Sequence, residues 1–150
     1  MVRRALLGLT LAATTWLAAA CGGDQGPVDD PAVVPFIGTW IADSLTLTSQ
    51  ADTTLHQDLL ALGATFSIVV EASGQYTATL GSFAGTSVEI GQVSVLGGSS
   101  LELRVSYPAP ETQAMTYHFA TTEHLVLDGA TEWNGDPAYG HIELNRQTTP

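Results

Sequence analysis

The sequence predicts an all-β domain, an eight-stranded antiparallel up-and-down β-barrel, with a two-sheet β-sandwich as the alternative. Three observations carry this expectation. From position 39 to 146 apolar and polar residues alternate with a period of two over short stretches. Gly, Ser, Asn and Pro break those stretches at hairpin spacing, so strands adjacent in sequence are expected to pair antiparallel. Helical periodicity is nearly absent.

Taken in order, Thr39 to Thr48 is the first strand. Phe66, Ile68 and Val70 then alternate with Ser67 and Val69, and after the turn "ASGQ" Tyr76, Ala78 and Leu80 alternate with Thr77 and Thr79. Val88 and Ile90 give way at Gly91 to Val93 and Val95, a change of parity that a glycine bulge would absorb. Beyond "GGSS", Leu101, Leu103, Val105 and Tyr107 face one way, with Glu102, Arg104 and Ser106 opposite, until Pro108 and Pro110 end the strand. Met115, Tyr117 and Phe119, then Leu125 and Leu127, then Ile142 and Leu144 complete the inward set. Residues 49–63 are the exception. There Leu55, Leu59 and Leu62 have helical spacing, Thr54 and Gln57 occupy capping-box positions and Gly63 a stop, which predicts a short helix.

The N-terminal part is of another kind. Arg3 and Arg4 precede an uncharged run from Ala5 to Ala20, which ends in the small residues Ala18, Ala19 and Ala20, the three-part pattern of a secretory signal. The run is shorter than the roughly 20 apolar residues that span a bilayer as a helix. From Gly22 to Pro35 the composition shifts to Gly, Asp, Gln and Pro, a solvated tether. The expected organisation is therefore a signal peptide at 1–20, Cys21 and a flexible linker at 21–35, the β domain at 36–146 and a tail at 147–150.

"LAAAC" at 17–21 resembles the lipobox of bacterial lipoproteins, with Leu17 one place further from Cys21 than that pattern prefers. The resemblance implies a diacylglyceryl group on Cys21 and further acylation of the new N-terminus, with the membrane as the partner. Several acyl chains hold firmly where one does not. It also implies an exported, envelope-anchored protein, and Gly22, which is not an inner-membrane retention signal, favours the outer membrane where the cell has one. The only cysteine of the chain is thereby accounted for, since an odd cysteine in an exported protein otherwise needs a partner chain.

"FIGTW" at 36–40 resembles the G-x-W motif of the lipocalin and calycin barrels. By that resemblance Gly38 and Trp40 belong to the motif, Trp40 plugs the closed end of the barrel, and Arg146, or in its place Arg104, packs across the ring. Other lipocalin motifs are not recognisable, and avidin-like barrels open in a similar way. The resemblance implies an interior that takes one small ligand. The candidate lining is Phe66, Ile68, Val70, Tyr76, Leu103, Val105, Tyr107, Met115, Tyr117, Phe119, Leu125 and Leu127, which suits a hydrophobic or amphiphilic molecule.

Charge and motifs exclude other classes. Lys is absent, Arg occurs four times, and all fifteen acidic residues lie beyond position 20, giving a net charge of −11. Such a body repels nucleic acid and anionic lipid surfaces. The sequence contains no G-x-S-x-G, H-E-x-x-H or phosphate-binding glycine loop, so it reads as a non-enzyme without a cofactor. His118, His124 and His141, with Glu143, fall on the outward parity and carry zinc-ligand chemistry, while Asp128, Glu132, Asn134 and Asp136 offer oxygen ligands without an EF-hand pattern. A solvated face and a polar turn account for both groups, and no metal is assigned. The expected function is that of a lipid-anchored barrel that binds a small molecule. The alternative is a non-catalytic module with a filled core that binds another envelope protein.

Overall fold

A computed structural model describes residues 30–148. The expected signal peptide, Cys21, the linker as far as Asp29, and the last two residues lie outside the described residues.

Nine strands follow one another: β1 (Gly38–Ser49), β2 (His56–Asp58), β3 (Thr65–Val70), β4 (Gln75–Ser82), β5 (Gly85–Gly97), β6 (Ser100–Tyr107), β7 (Glu111–Thr121), β8 (His124–Trp133) and β9 (Asp136–Arg146). Every pairing is antiparallel, and from β3 to β9 each strand pairs with the next in sequence. The sheet closes because β1 pairs with β9 from Trp40 opposite Arg146 to Ser49 opposite Ala138. The result is an eight-stranded barrel with β2 as an additional strand, not a sandwich.

The short β2 stands where a helix was expected. β3 covers β1 only from Gly38 to Ile41, which leaves the upper part of that edge of β1 without a neighbour. Residues 56–58 occupy it, opposite Thr46, Leu47 and Thr48, and the Leu59 amide donates to the Leu45 carbonyl at 2.9 Å. Asp52 and Asp58 compete with helix formation by accepting amide hydrogen bonds from Thr54 and from Leu60 and Ala61. The leucines therefore share no face: Leu55 and Leu62 are exposed, while Leu59 turns toward the barrel interior. Satisfying an open strand edge outweighed a weak helical pattern.

Two extra residues set the parity of the walls. Asp43 is skipped in the β1–β9 register, so the inward set on β1 runs Trp40, Ala42, then Leu45 and Leu47. On β6 the skipped residue is Ser106, since Gly91 pairs with Val105 and Ile90 with Tyr107. β5 keeps one parity through Gly91, contrary to expectation: Glu89, Gly91 and Val93 face inward, while Val88 is exposed. Gly91 is needed for closeness rather than for a bulge of its own strand. A Cβ there would run into the Arg104 carbonyl oxygen and lie 2.7 Å from a ring carbon of Tyr76.

A 3₁₀ turn, Val34–Phe36, precedes β1 and enters the barrel end. Val33 and Phe36 are only 2% and 3% exposed and join the core around Trp40, Leu101, Leu125 and Leu144. Val33, within the expected linker, is thus packed into the domain, while its neighbours Val34 and Pro35 stay exposed.

Candidate functional site

The barrel's two ends differ because its inward side chains do. At the end where β1 starts and β9 finishes, Phe36, Tyr117 and Phe119 cluster with ring centroids 4.9–6.0 Å apart, and Trp40 lies 6.1 Å from Phe119. Trp40 is fully buried, and its indole N–H donates to the Phe36 carbonyl at 2.7 Å, so its one polar atom is satisfied. The Arg146 guanidinium carbon lies 4.2 Å from the Trp40 ring centroid. Its nitrogens donate to the carbonyls of Pro35 (2.7 Å), Ile37 and Thr122, and Nε lies 3.4 Å from the Glu123 carboxylate. Gly38, at φ +136°, makes room: a Cβ would sit 3.0 Å from Arg146 Nη1. Arg104 is instead exposed and pairs with Glu102. The structure therefore brings together Gly38, Trp40 and Arg146 as a plug.

The opposite half is hollow. A cavity of about 580 Å³ lies among Leu45, Leu47, Leu59, Leu80 and Ile142, with Ala78, Gly129 and Gly140 where bulkier inward residues would fill it. Of the expected lining, Phe66, Ile68, Leu103, Met115 and Leu127 face this cavity. Val70 and Leu125 sit lower, around a void of about 20 Å³ beneath Trp40. Tyr117 and Phe119 belong to the plug, and Val105 is buried without facing either space. Tyr107 is a correction, being 55% exposed. The extra residue Ser106 breaks the two-residue period just before it, and pairing between β6 and β7 has already ended at Val105 opposite Glu111.

Glu89, Glu111 and Gln113 on this inner surface were not singled out in the sequence, and Glu132, read there as part of a polar turn, also faces it. The Tyr76 hydroxyl donates to Glu89 Oε1 at 2.6 Å, and Gln113 Nε2 lies 3.4 Å from Glu89 Oε2. Tyr76, Gly91, Val105 and Glu111 form one row across β4, β5, β6 and β7. The bare Gly91 leaves space for the Tyr76 ring, whose hydroxyl thereby reaches Glu89. Burial first, then the bond to Glu89 and the nearby Glu89 and Glu111 carboxylates, hold the Tyr76 phenol far above its ordinary range. It acts as a hydrogen-bond donor, not as an acid.

On the outer wall, His141 Nδ1 donates to Asp128 at 2.6 Å and Nε2 lies 3.2 Å from Glu143, which also lies 3.1 Å from His124. Asn145 Nδ2 donates to Asp43 at 2.6 Å. One donor atom each of Asp43, His124 and Glu143 lies within 4.8 Å of the others. His118, opposite Val126, takes no part in these contacts among the described residues. Both ring nitrogens of His141 face carboxylates, which only accept, so the imidazolium is favoured and its pKa is raised, chiefly by Asp128. His141 in turn lowers Glu143. The expected oxygen-rich loop is dispersed: Asp128 serves His141, Glu132 faces the cavity, and Asn134-Gly135, both at positive φ, make a two-residue hairpin turn.

No protein-family profile and no curated protein matches the chain. Among solved structures it is similar to a de novo designed fluorescence-activating β-barrel, at 14% identity over 77% of this chain and 97% of the other, with a TM-score of 0.45. It is also similar to the siderocalin Ex-FABP, described as working through dual ligand specificities. That match has 11% identity, covers 77% of this chain and 78% of the other, and has a TM-score of 0.45. The closed barrel stands on its own strand register.

Two outcomes are expected. Arg146→Lys keeps a positive charge but loses the planar fork over Trp40 and most of its carbonyl contacts, and should lower unfolding free energy by about 1–3 kcal/mol in urea titration. For His141, whose folded pKa exceeds its ordinary 6.5, the contribution to stability is fully present below that value and lost as pH rises through the folded pKa. For Glu143, whose folded pKa falls below 4.5, it is present above 4.5 and lost on acidification through the folded pKa. Imidazole NMR titration should place the His141 midpoint above 6.5, and Asp128→Asn should bring it down.

Proposed function

We propose that this chain is an exported lipoprotein, anchored through Cys21, whose lipocalin-like barrel binds a small hydrophobic or amphiphilic molecule in the cell envelope. One observation carries the binding half of this reading: the 580 Å³ apolar cavity above a plugged floor. That volume falls within the roughly 300–1,000 Å³ typical of small-molecule pockets. The plug of Gly38, Trp40 and Arg146 supports the family resemblance, because each residue does at its position what the resemblance implies. The similar solved structures add no ligand to this reading.

The anchoring half rests on the sequence from Arg3 to Gly22. Eight residues separate Cys21 from Asp30, a reach of at most roughly 32 Å for extended chain. The described chain enters the barrel at its plugged end, so the point of attachment at Cys21 is not joined to the chain through the mouth. The outer membrane is the expected address where the cell has one.

For binding, the acyl-free Cys21→Ser protein should enhance the fluorescence of diphenylhexatriene saturably, and Ala78→Trp, which fills the cavity, should weaken this by at least about tenfold. Equal binding by the filled variant would overturn the cavity reading. For the anchor, radiolabelled palmitate should enter the wild-type protein and not Cys21→Ser; equal labelling of the two would remove it.

A further inference from the structure

We infer that the molecule this cavity selects carries a positive charge, an amphiphilic cation whose apolar body fills the hollow half and whose ammonium-type head meets Glu89 and Glu111. The inference rests on the small-molecule reading above and specifies its ligand. The cavity is the starting point: its walls are mostly apolar, and the charged groups that face it are all acidic, namely Glu89, Glu111 and Glu132. The cations among the described residues are engaged elsewhere. Arg146 lies over Trp40 in the plug, and Arg104 is on the outer wall with Glu102. With Lys absent from the chain, nothing on the described inner surface neutralises these carboxylates.

The placement of Glu89 is constructed. An acidic residue on an inward position of a barrel strand is costly unless it is hydrogen-bonded or meets a counter-charge. Here the fully buried Tyr76 donates to one carboxylate oxygen at 2.6 Å, and Gln113 lies within 3.4 Å of the other. Both partners point donors at Glu89 and fix its carboxylate in place. Two donors leave about half of a carboxylate's acceptor sites free. Glu111 faces the same cavity, in one row with Gly91 and Tyr76, and its field acts on the Tyr76 hydroxyl. A cationic head placed there gains two negative neighbours in a partly dry site, whereas an anionic head is repelled by both.

The same apolar body can be offered with three heads: diphenylhexatriene, its trimethylammonium derivative and its propionic acid derivative, each titrated into the Cys21→Ser protein at low ionic strength. The expected order is cationic above neutral above anionic, with the cationic probe bound at least about tenfold more tightly than the neutral one and the gap shrinking with added salt. Glu89→Gln and, separately, Glu111→Gln should each cut the ratio of cationic to neutral affinity severalfold. Because Glu89 is hydrogen-bonded and Glu111 is not, the second variant tests the charge without disturbing the Tyr76 contact. Equal affinity for the cationic and neutral probes, or a preference that survives both variants, overturns the inference while the cavity reading stands. Binding of none of the three overturns both.

Discussion

Closure of the sheet between its first and last strands is the constraint on which everything else depends. Nine residue pairs join β1 to β9, and the terminal pair, Trp40 with Arg146, is also the pair that plugs the barrel. A closed barrel has no free edges, yet closure joins strands about a hundred residues apart and gains nothing until the rest of the sheet exists. Arg146 reinforces that last joint from the side. It ties the carbonyls of Pro35 and Ile37, before β1, to that of Thr122, in the β7–β8 turn, through one planar group. Gly38 is the cost of the arrangement, since its backbone takes a conformation that L side chains rarely adopt and its missing Cβ admits the guanidinium.

From that plug the division of the interior follows. Large rings fill the half nearest the closure: Phe36, Trp40, Tyr117 and Phe119. Toward the other end the inward positions include Ala78, Gly129 and Gly140, and the wall side chains no longer meet across the barrel. An eight-stranded barrel is at the size where its interior is either just filled or left with room for one small ligand, so a few small residues decide the matter. The filled half supplies the packing that lets the other half remain hollow.

The fold was legible in the sequence because the two-residue period is a local signal and hairpin turns carry their own chemistry. All eight expected strands are present, and Trp40 of the "FIGTW" stretch lies in the buried core at one barrel end. What was missed has one physical origin in each case. The leucines at 55, 59 and 62 obeyed an unpaired strand edge that no local pattern reveals. The inward parity of β5 was read from Val88 and Ile90, because apolar residues are taken to point inward, and that hid Glu89, whose inward place depends on Tyr76 of the neighbouring strand. Tyr107 was lost to an extra residue on its own strand. The available signal for the site was the unbroken alternation Glu89, Gly91, Val93, Val95, which the preference for an apolar interior overrode.

Both ends of the described chain also lie at the plug. Val33 and Phe36 enter it, and Gln147 donates its amide to the Thr39 carbonyl beside it at 2.8 Å. The mouth is therefore formed only by connections within the sheet: the β4–β5, β6–β7 and β8–β9 turns and the segment that carries β2. The β4–β5 and β6–β7 turns take no part in the β1–β9 pairing, so their residues can change with little cost to the fold, whereas Gln50 extends the closure by donating to the Pro137 and Ala138 carbonyls of β9. The hydrogen-bonded polar groups of the inner surface occupy the intermediate level. Glu89 is held by Tyr76, whose position depends on Gly91, whose bare backbone lies against the Arg104 carbonyl of β6. The place of this carboxylate is thus set by a strand-to-strand contact rather than by a turn, which is the condition for a charged group to keep one geometry in a largely apolar cavity.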